Sequence, residues 1–445
     1  MPPGRDHPPL SRSTIIAAGL GLSLVALAAT SAFVAYEPQI AGIAPADPGS
    51  FNANLVKQGQ ILAGIGNCAA CHTLPDGEPY AGGRALPTPF GVIHSTNLTP
   101  DPETGIGTWS EAAFARAMRH GVDREGRHLY PVFPYDYFTR ASDADLGALY
   151  AYLMSLDPIV AEAAQNDLVF PFSVRPLLAG WKVLYLDEGA LQPDPAQDEE
   201  WNRGRYLVES LGHCGACHSP RNARGAAAKT GPKAYAGGEA EGWSVPPLNG
   251  ASSAPLEWNV DSIANYLIEG WDSDHGVAAG PMRPVVDDLH EQSEDDVVAM
   301  AVYVDWLMGN DRPENASLAA TRANAKALDW GHPDAPILPE ESALLAGARV
   351  FEANCANCHK AGAKSVPLAL TTVLHAPDAA NLINIVLHGI QPPPVGSPDR
   401  SMPGRAVQVS DDDLVALAAF VRDRFTDATS WTGVRELVQE LRGHN

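Results

Sequence analysis

Three stretches of the chain carry apolar residues at helical spacing, and each opens on acidic residues. Leu146, Leu149, Tyr150 and Leu153 fall at i, i+3, i+4 and i+7 within Asp143–Ser155. Val297, Val298, Met300, Ala301, Val304 and Leu307 make a similar stripe in Glu294–Met308, and Asp411–Phe425 is the third stretch. Side chains three and four apart share one helix face, so each stretch predicts an amphipathic helix that buries one stripe. Ser142, Ser293 and Ser410 stand just before the three, where a hydroxyl accepts from a first-turn backbone N–H. Shorter helical patterns lie upstream of each, at 55–62, 201–208 and 344–351. A further helix ending in glycine is expected at Phe114–Gly121, Ile263–Gly270 and Leu382–Gly389. The pattern is one module repeated, at about 50–157, 200–310 and 340–426. Linkers rich in proline and acid occupy 158–199 and 311–339, and a tail helix occupies 427–445.

The six cysteines sharpen this picture. All lie in three copies of one pentapeptide: Cys68–His72, Cys214–His218 and Cys355–His359, each C-x-x-C-H. That is the attachment signature of c-type haem. Cys68 and Cys71, Cys214 and Cys217, and Cys355 and Cys358 are spaced i, i+3, so each pair faces one way on a helical turn and can form two thioethers to one porphyrin. The next residue, His72, His218 or His359, then falls under the iron as an axial ligand. A proximal imidazole commonly donates its other N–H to a carbonyl, and Pro75 and Pro220 follow two of the motifs, where they order the loop. A structural zinc site needs four ligands close together, whereas these pairs are far apart. A thioredoxin-type site needs a strand–helix context that the pattern lacks.

Internal alignment also offers distal ligands. Met282 lies twelve residues past Gly270, and Met402 thirteen past Gly389, both beside proline. Thioether ligation opposite histidine raises the potential and suits electron transfer. In the first repeat the matching position is Phe133, which cannot bind iron. Met118, Met154, His120 and His128 are the alternatives, or the first iron is five-coordinate. Arg84 and Arg221 are candidate partners of haem propionates, and Trp109 and Trp243 of porphyrin edges.

Residues 1–13 are polar, with Arg5 and Arg12, and Ile15 to Tyr36 then runs without a charge. As a helix this run spans about 33 Å, close to a bilayer's hydrocarbon thickness. Residues 1–36 are therefore expected to be an uncleaved membrane anchor, or a signal peptide cleaved near Ala29, Ser31 and Ala32. The arginines favour an N-in orientation, which puts the rest on the periplasmic face.

The chain has 445 residues and a formal net charge of −23. Such a surface repels a phosphate backbone, which excludes nucleic-acid binding. There is no G-x-G-x-x-G after a strand, no P-loop and no nucleophile elbow, so substrate oxidation is expected on another chain.

The module layout resembles the class I cytochrome c fold, so the fold class expected is all-α: three tandem cytochrome c domains behind the N-terminal segment. Longer words extend the resemblance across nearly the whole chain. They include residues 97–110, Tyr130–Tyr135, 175–182 and 201–204. These are similar to the tri-haem cytochrome c subunit of bacterial membrane-bound periplasmic dehydrogenases. The resemblance implies three covalently bound haem c groups. It also implies a separate catalytic subunit (a quinoprotein, a flavoprotein or a molybdenum hydroxylase) that supplies electrons, with or without a small iron–sulfur or other subunit, and ubiquinone or a terminal oxidase that accepts them. Phe133 and the run His275–Met282 look more like cytochromes paired with molybdenum hydroxylases. Two other functions remain open: a haem peroxidase working at an open first iron, and a free-standing electron shuttle. The segment Val169–Leu186, and the tail stripe of Trp431, Val434, Leu437, Val438 and Leu441, are either docking surfaces or straps packed on their own modules.

Overall fold

The computed structural model describes residues 35–309, 316–394 and 400–443. The apolar run expected as a signal or anchor lies outside them, apart from its last two residues. No described helix is long and apolar enough to cross a membrane.

Three helix pairs organise the chain. A leading helix packs on a closing helix: Ala53–Ile65 on Asp143–Met154, Glu199–Glu209 on Glu294–Met308, and Leu345–Asn354 on Asp411–Phe425. Each crossing is made close by one glycine. A Cβ on Gly59 would lie 2.0 Å from the Ala148 carbonyl oxygen; on Gly204, 1.8 Å from that of Ala299; on Gly347, 2.1 Å from that of Ala416. In each closing helix an aromatic residue one turn on covers the same glycine: Tyr152, Tyr303 and Phe420. Any larger residue would push the two helices apart.

Local signals explain the helix ends. The hydroxyls of Ser142 and Ser410 accept from the N–H groups of Asp145 and Asp413, as the sequence leads one to expect. Ser293 makes no such bond, so the Glu294–Met308 helix begins on its acidic first turn alone. The third helix of each repeat runs Glu111–His120, Val260–Glu269 or Ala380–His388 and stops at Gly121, Gly270 or Gly389, each at positive φ.

The fold is mostly helical, and the all-α expectation needs one correction. Short antiparallel sheets lie in the loops. Ala85–Thr88 pairs with Gly91–His94, whose start also pairs with Asp167–Leu168. Gly238–Ala240 and Trp243–Val245 form a hairpin, and Gly389–Ile390 pairs with Met402–Pro403. The expected linkers are also more structured than spacers. Segment 158–199 supplies the Asp167–Leu168 strand and a helix, Leu177–Tyr185; segment 311–339 holds the helix Ala316–Leu328.

The first two helix pairs share one apolar core that includes Leu62, Leu146, Leu207 and Met300. The third has its own, built on Phe351, Phe420 and Phe425, with the ring of Phe351 5.5 Å from each of the others. The tail helix Val434–Gly443 buries Val438 and Leu441 in this core, so it acts as a strap. Polar contacts join the units. Lys229 pairs with Asp136 at 2.8 Å across the first two. The hairpin reaches both ways: Glu241 pairs with Arg84 at 2.9 Å, while the backbone of Ser244 and Gly242 is bonded by the side chains of Asn381 and Asn384.

Candidate haem-binding sites

In the first repeat Asn67, in the left-handed region at φ 47°, turns the chain into the short helix Cys68–His72. The His72 ring donates from Nδ1–H to the Thr96 carbonyl at 2.6 Å. In the second repeat His213, at φ 37°, makes the same turn, and the His218 ring donates to the Pro246 carbonyl at 2.8 Å. A common loop carries both acceptors. Tyr80 and Tyr235 are left-handed, and their carbonyls accept from the N–H groups of Leu98 and Leu248. Gly82 and Gly237 donate their N–H to the carbonyls of His72 and His218. A carbonyl can only accept, so Nδ1 carries the proton and Nε2 offers its lone pair. Burial lowers the pKa of both imidazoles, which favours the neutral, ligating form.

The third motif closes the same turn as the second but leaves its imidazole Nδ1 with no described carbonyl partner. The His359 N–H donates to the Cys355 carbonyl at 3.0 Å, which closes the turn. Its Nδ1 is buried and has no hydrogen-bond partner among the described residues. Burial again lowers its pKa.

All six thiols are free of disulfides. Burial pushes Cys68 and Cys214 up to about 12 and Cys355 up to about 11. Cys71 and Cys217 are raised too, also by burial, and Arg84 and Arg221 oppose that rise. These arginines take equivalent places. Each donates to the carbonyl of the residue before the second cysteine, Arg84 to Ala70 at 2.5 Å and Arg221 to Ala216 at 2.8 Å. They hold the attachment turn through one NH group each. No described cluster of three or more His, Cys, Asp or Glu suits a metal ion. The donor set at each motif, two thiols and a neutral imidazole on one turn, fits a covalently held haem.

Met282 begins the helix Met282–His290, is half-buried and packs against the shared core. The turn before it is fixed by close packing: a Cβ on Gly280 would lie 2.3 Å from the Trp243 ring. So Trp243 packs on the loop that carries Met282. Trp109 instead packs at the edge of the core, and its carbonyl accepts from the Tyr150 hydroxyl at 2.8 Å. Met402 lies on a strand opposite Ile390 and is half-buried against the third core.

The first repeat gives no equivalent. Phe133 packs on Phe138, centroids 5.3 Å apart. Met118 and Met154 are core residues, 6% and 1% exposed. His120 pairs with Glu188 at 2.9 Å. The two ring nitrogens of His128 are engaged by the Ala35 carbonyl and the Lys182 ammonium. Sequence reasoning missed the carbonyl acceptors Thr96 and Pro246, because each is brought in by a loop more than twenty residues away.

Comparison with known proteins agrees with this construction. The family model "Cytochrome c" matches residues 56–157, and "Cytochrome C oxidase, cbb3-type, subunit III" matches residues 342–421. The chain is 43% identical over 441 residues to a subunit of the nicotinate dehydrogenase of Pseudomonas putida. That match takes in 98% of this chain and 35% of the relative, so the chain spans about a third of that protein's length. It is 36% identical to the gluconate 2-dehydrogenase cytochrome c subunit of Pantoea cypripedii, covering 88% of this chain and 90% of that one. It is 34% identical to the cytochrome c subunit of the quinone alcohol dehydrogenase of Gluconobacter oxydans, covering 87% and 82%. The chain belongs to the family of cytochrome c subunits of dehydrogenases: it holds haem c covalently and is an electron-transfer subunit.

Proposed function

We propose that the chain carries three haem c groups and relays electrons from a periplasmic dehydrogenase subunit to ubiquinone or a terminal oxidase. The attachment residues are Cys68 and Cys71, Cys214 and Cys217, and Cys355 and Cys358. His72, His218 and His359 are the proximal ligands, and Met282 and Met402 the distal ligands of the second and third irons. Haem c supplies a one-electron centre at each motif. The protein fixes the imidazole tautomer at the first two motifs and, at the second and third, provides a thioether. The modules are those at 50–157, 200–310 and 340–426, and the apolar run at 15–36 holds them at the membrane.

The observation that carries this reading is the repeated construction. Three C-x-x-C-H turns each follow a leading helix whose glycine is pressed against a closing helix. The catalytic partner is a molybdenum hydroxylase acting on N-heterocycles or aldehydes. The 43% identity to the nicotinate dehydrogenase chain supports that class over sugar and alcohol dehydrogenases.

Purification of the full chain from its own membranes in mild detergent tests the assignment. A dehydrogenase chain should accompany it, and nicotinate or an aldehyde should reduce its haems. Isolation without a catalytic chain, and no haem reduction by those substrates, would favour a free-standing shuttle.

A further inference from the structure

The segment from Val169 to Leu184 has two unlike faces. The inner face is tied to the first unit. Ala179 is 6% exposed, and the Trp181 ring meets Tyr135 edge-on at 6.0 Å. The Lys182 ammonium donates to the Gly121 carbonyl at 2.7 Å and lies 2.9 Å from His128 Nδ1. The outer face is apolar and open: Val169, Phe170, Leu177, Val183 and Leu184 are between 58% and 82% exposed. From Leu168 to Leu186 there is no Asp or Glu, in a chain that has 53. The charges there are Arg175 and Lys182.

A second observation bears on what this face meets. The apolar run Ile15–Tyr36 joins the described chain at Ala35, whose carbonyl accepts from His128 Nε2–H at 3.1 Å. The same imidazole accepts from Lys182 on its other nitrogen. Ala35, where the run joins the described residues, is therefore one side chain away from the helix that displays the patch.

We infer that the outer face of Val169–Leu184 lies in the headgroup–acyl boundary of the bilayer that receives the apolar N-terminal run. The inference rests on the reading of that run as a membrane segment. Exposed aromatic and aliphatic side chains with no carboxylate among them suit an interfacial segment, and a second contact strengthens a single anchor. The lack of carboxylates matters because the rest of the surface is strongly acidic, and an anionic leaflet repels acid.

The test uses the full haem-loaded chain in vesicles of phosphatidylethanolamine and phosphatidylglycerol doped with a phospholipid bearing a photoreactive acyl chain. After illumination, adducts are mapped by peptide mass spectrometry. Adducts are expected in residues 15–36 and also in 168–186, with the second set lost in the double variant Phe170→Ser/Leu184→Ser. Adducts in 15–36 alone would overturn the patch and leave the anchor standing. A chain that fails to bind vesicles would overturn both. Loss of the 168–186 adducts when the dehydrogenase subunit is bound would assign the patch to that protein.

Discussion

The Cα of Gly204 lies against the carbonyl oxygen of Ala299, so closely that a Cβ there would sit 1.8 Å from it. Gly59 and Ala148, and Gly347 and Ala416, repeat the relation. The leading and closing helices can cross at this distance only while the position has no side chain. Gly204→Ala gains about 1 kcal/mol of helix propensity but overpacks the crossing by about 1–3 kcal/mol. It should lower the unfolding temperature of the haem-loaded protein. Gly180→Ala, in a helix with nothing within 4 Å of the added methyl, should raise it slightly. Equal effects from the two variants would contradict the crossing.

Met282 and Met402 reach similar positions in their repeats on unlike backbone, one at a helix start and one on a strand. Loss of a thioether removes the ligand that raises the potential. Met282→Ala and Met402→Ala should each lower the midpoint of one haem and leave the others in place. A redox titration that matches the parent protein would refute the ligand concerned.

Lys229 and Asp136 join the first two units through a largely buried pair, with side chains 17% and 8% exposed. Lys229→Met leaves the Asp136 carboxylate without its partner, at a cost of about 3 kcal/mol. The double variant Lys229→Met/Asp136→Leu should recover much of that loss, because two apolar residues replace a desolvated pair. Chemical denaturation of the three proteins would reveal the coupling, and additive losses would argue that the pair is independent.

Burial lowers the Lys182 ammonium from 10.5 to about 8. Between these values the unfolded chain binds a proton that the folded chain does not, so this group adds stability as pH rises from about 8 towards 10.5. The unfolding free energy of the parent protein, relative to Lys182→Met, should climb across that window. A flat difference would show that the ammonium is not desolvated in the fold.

Much of this architecture is legible in the chain itself. The stripes at Leu146–Leu153 and Val297–Leu307 locate the closing helices, although both bury more than one face, including Ala148 and Ala151, and Ala299 and Tyr303; the motif spacing places each attachment turn between helices. The three glycine stops also fall where the pattern puts them. What escaped is long-range. The acceptors Thr96 and Pro246 have no local signature, because any carbonyl serves and a distant loop decides which one arrives. The tie of Arg84 to Glu241 has no local signature either, because that carboxylate arrives on a hairpin more than 150 residues away. The small sheets are only two to four residues long and set by glycine turns, too short for a period of two to be read.

Intact-mass spectrometry of the mature chain, with alkylation of any free thiol, tests the proposed haem content most directly. The mass should equal that of the polypeptide plus three haems, with none of the six cysteines alkylated. A mass short by one or more haems, with a reactive pair at 68 and 71, 214 and 217, or 355 and 358, would contradict it.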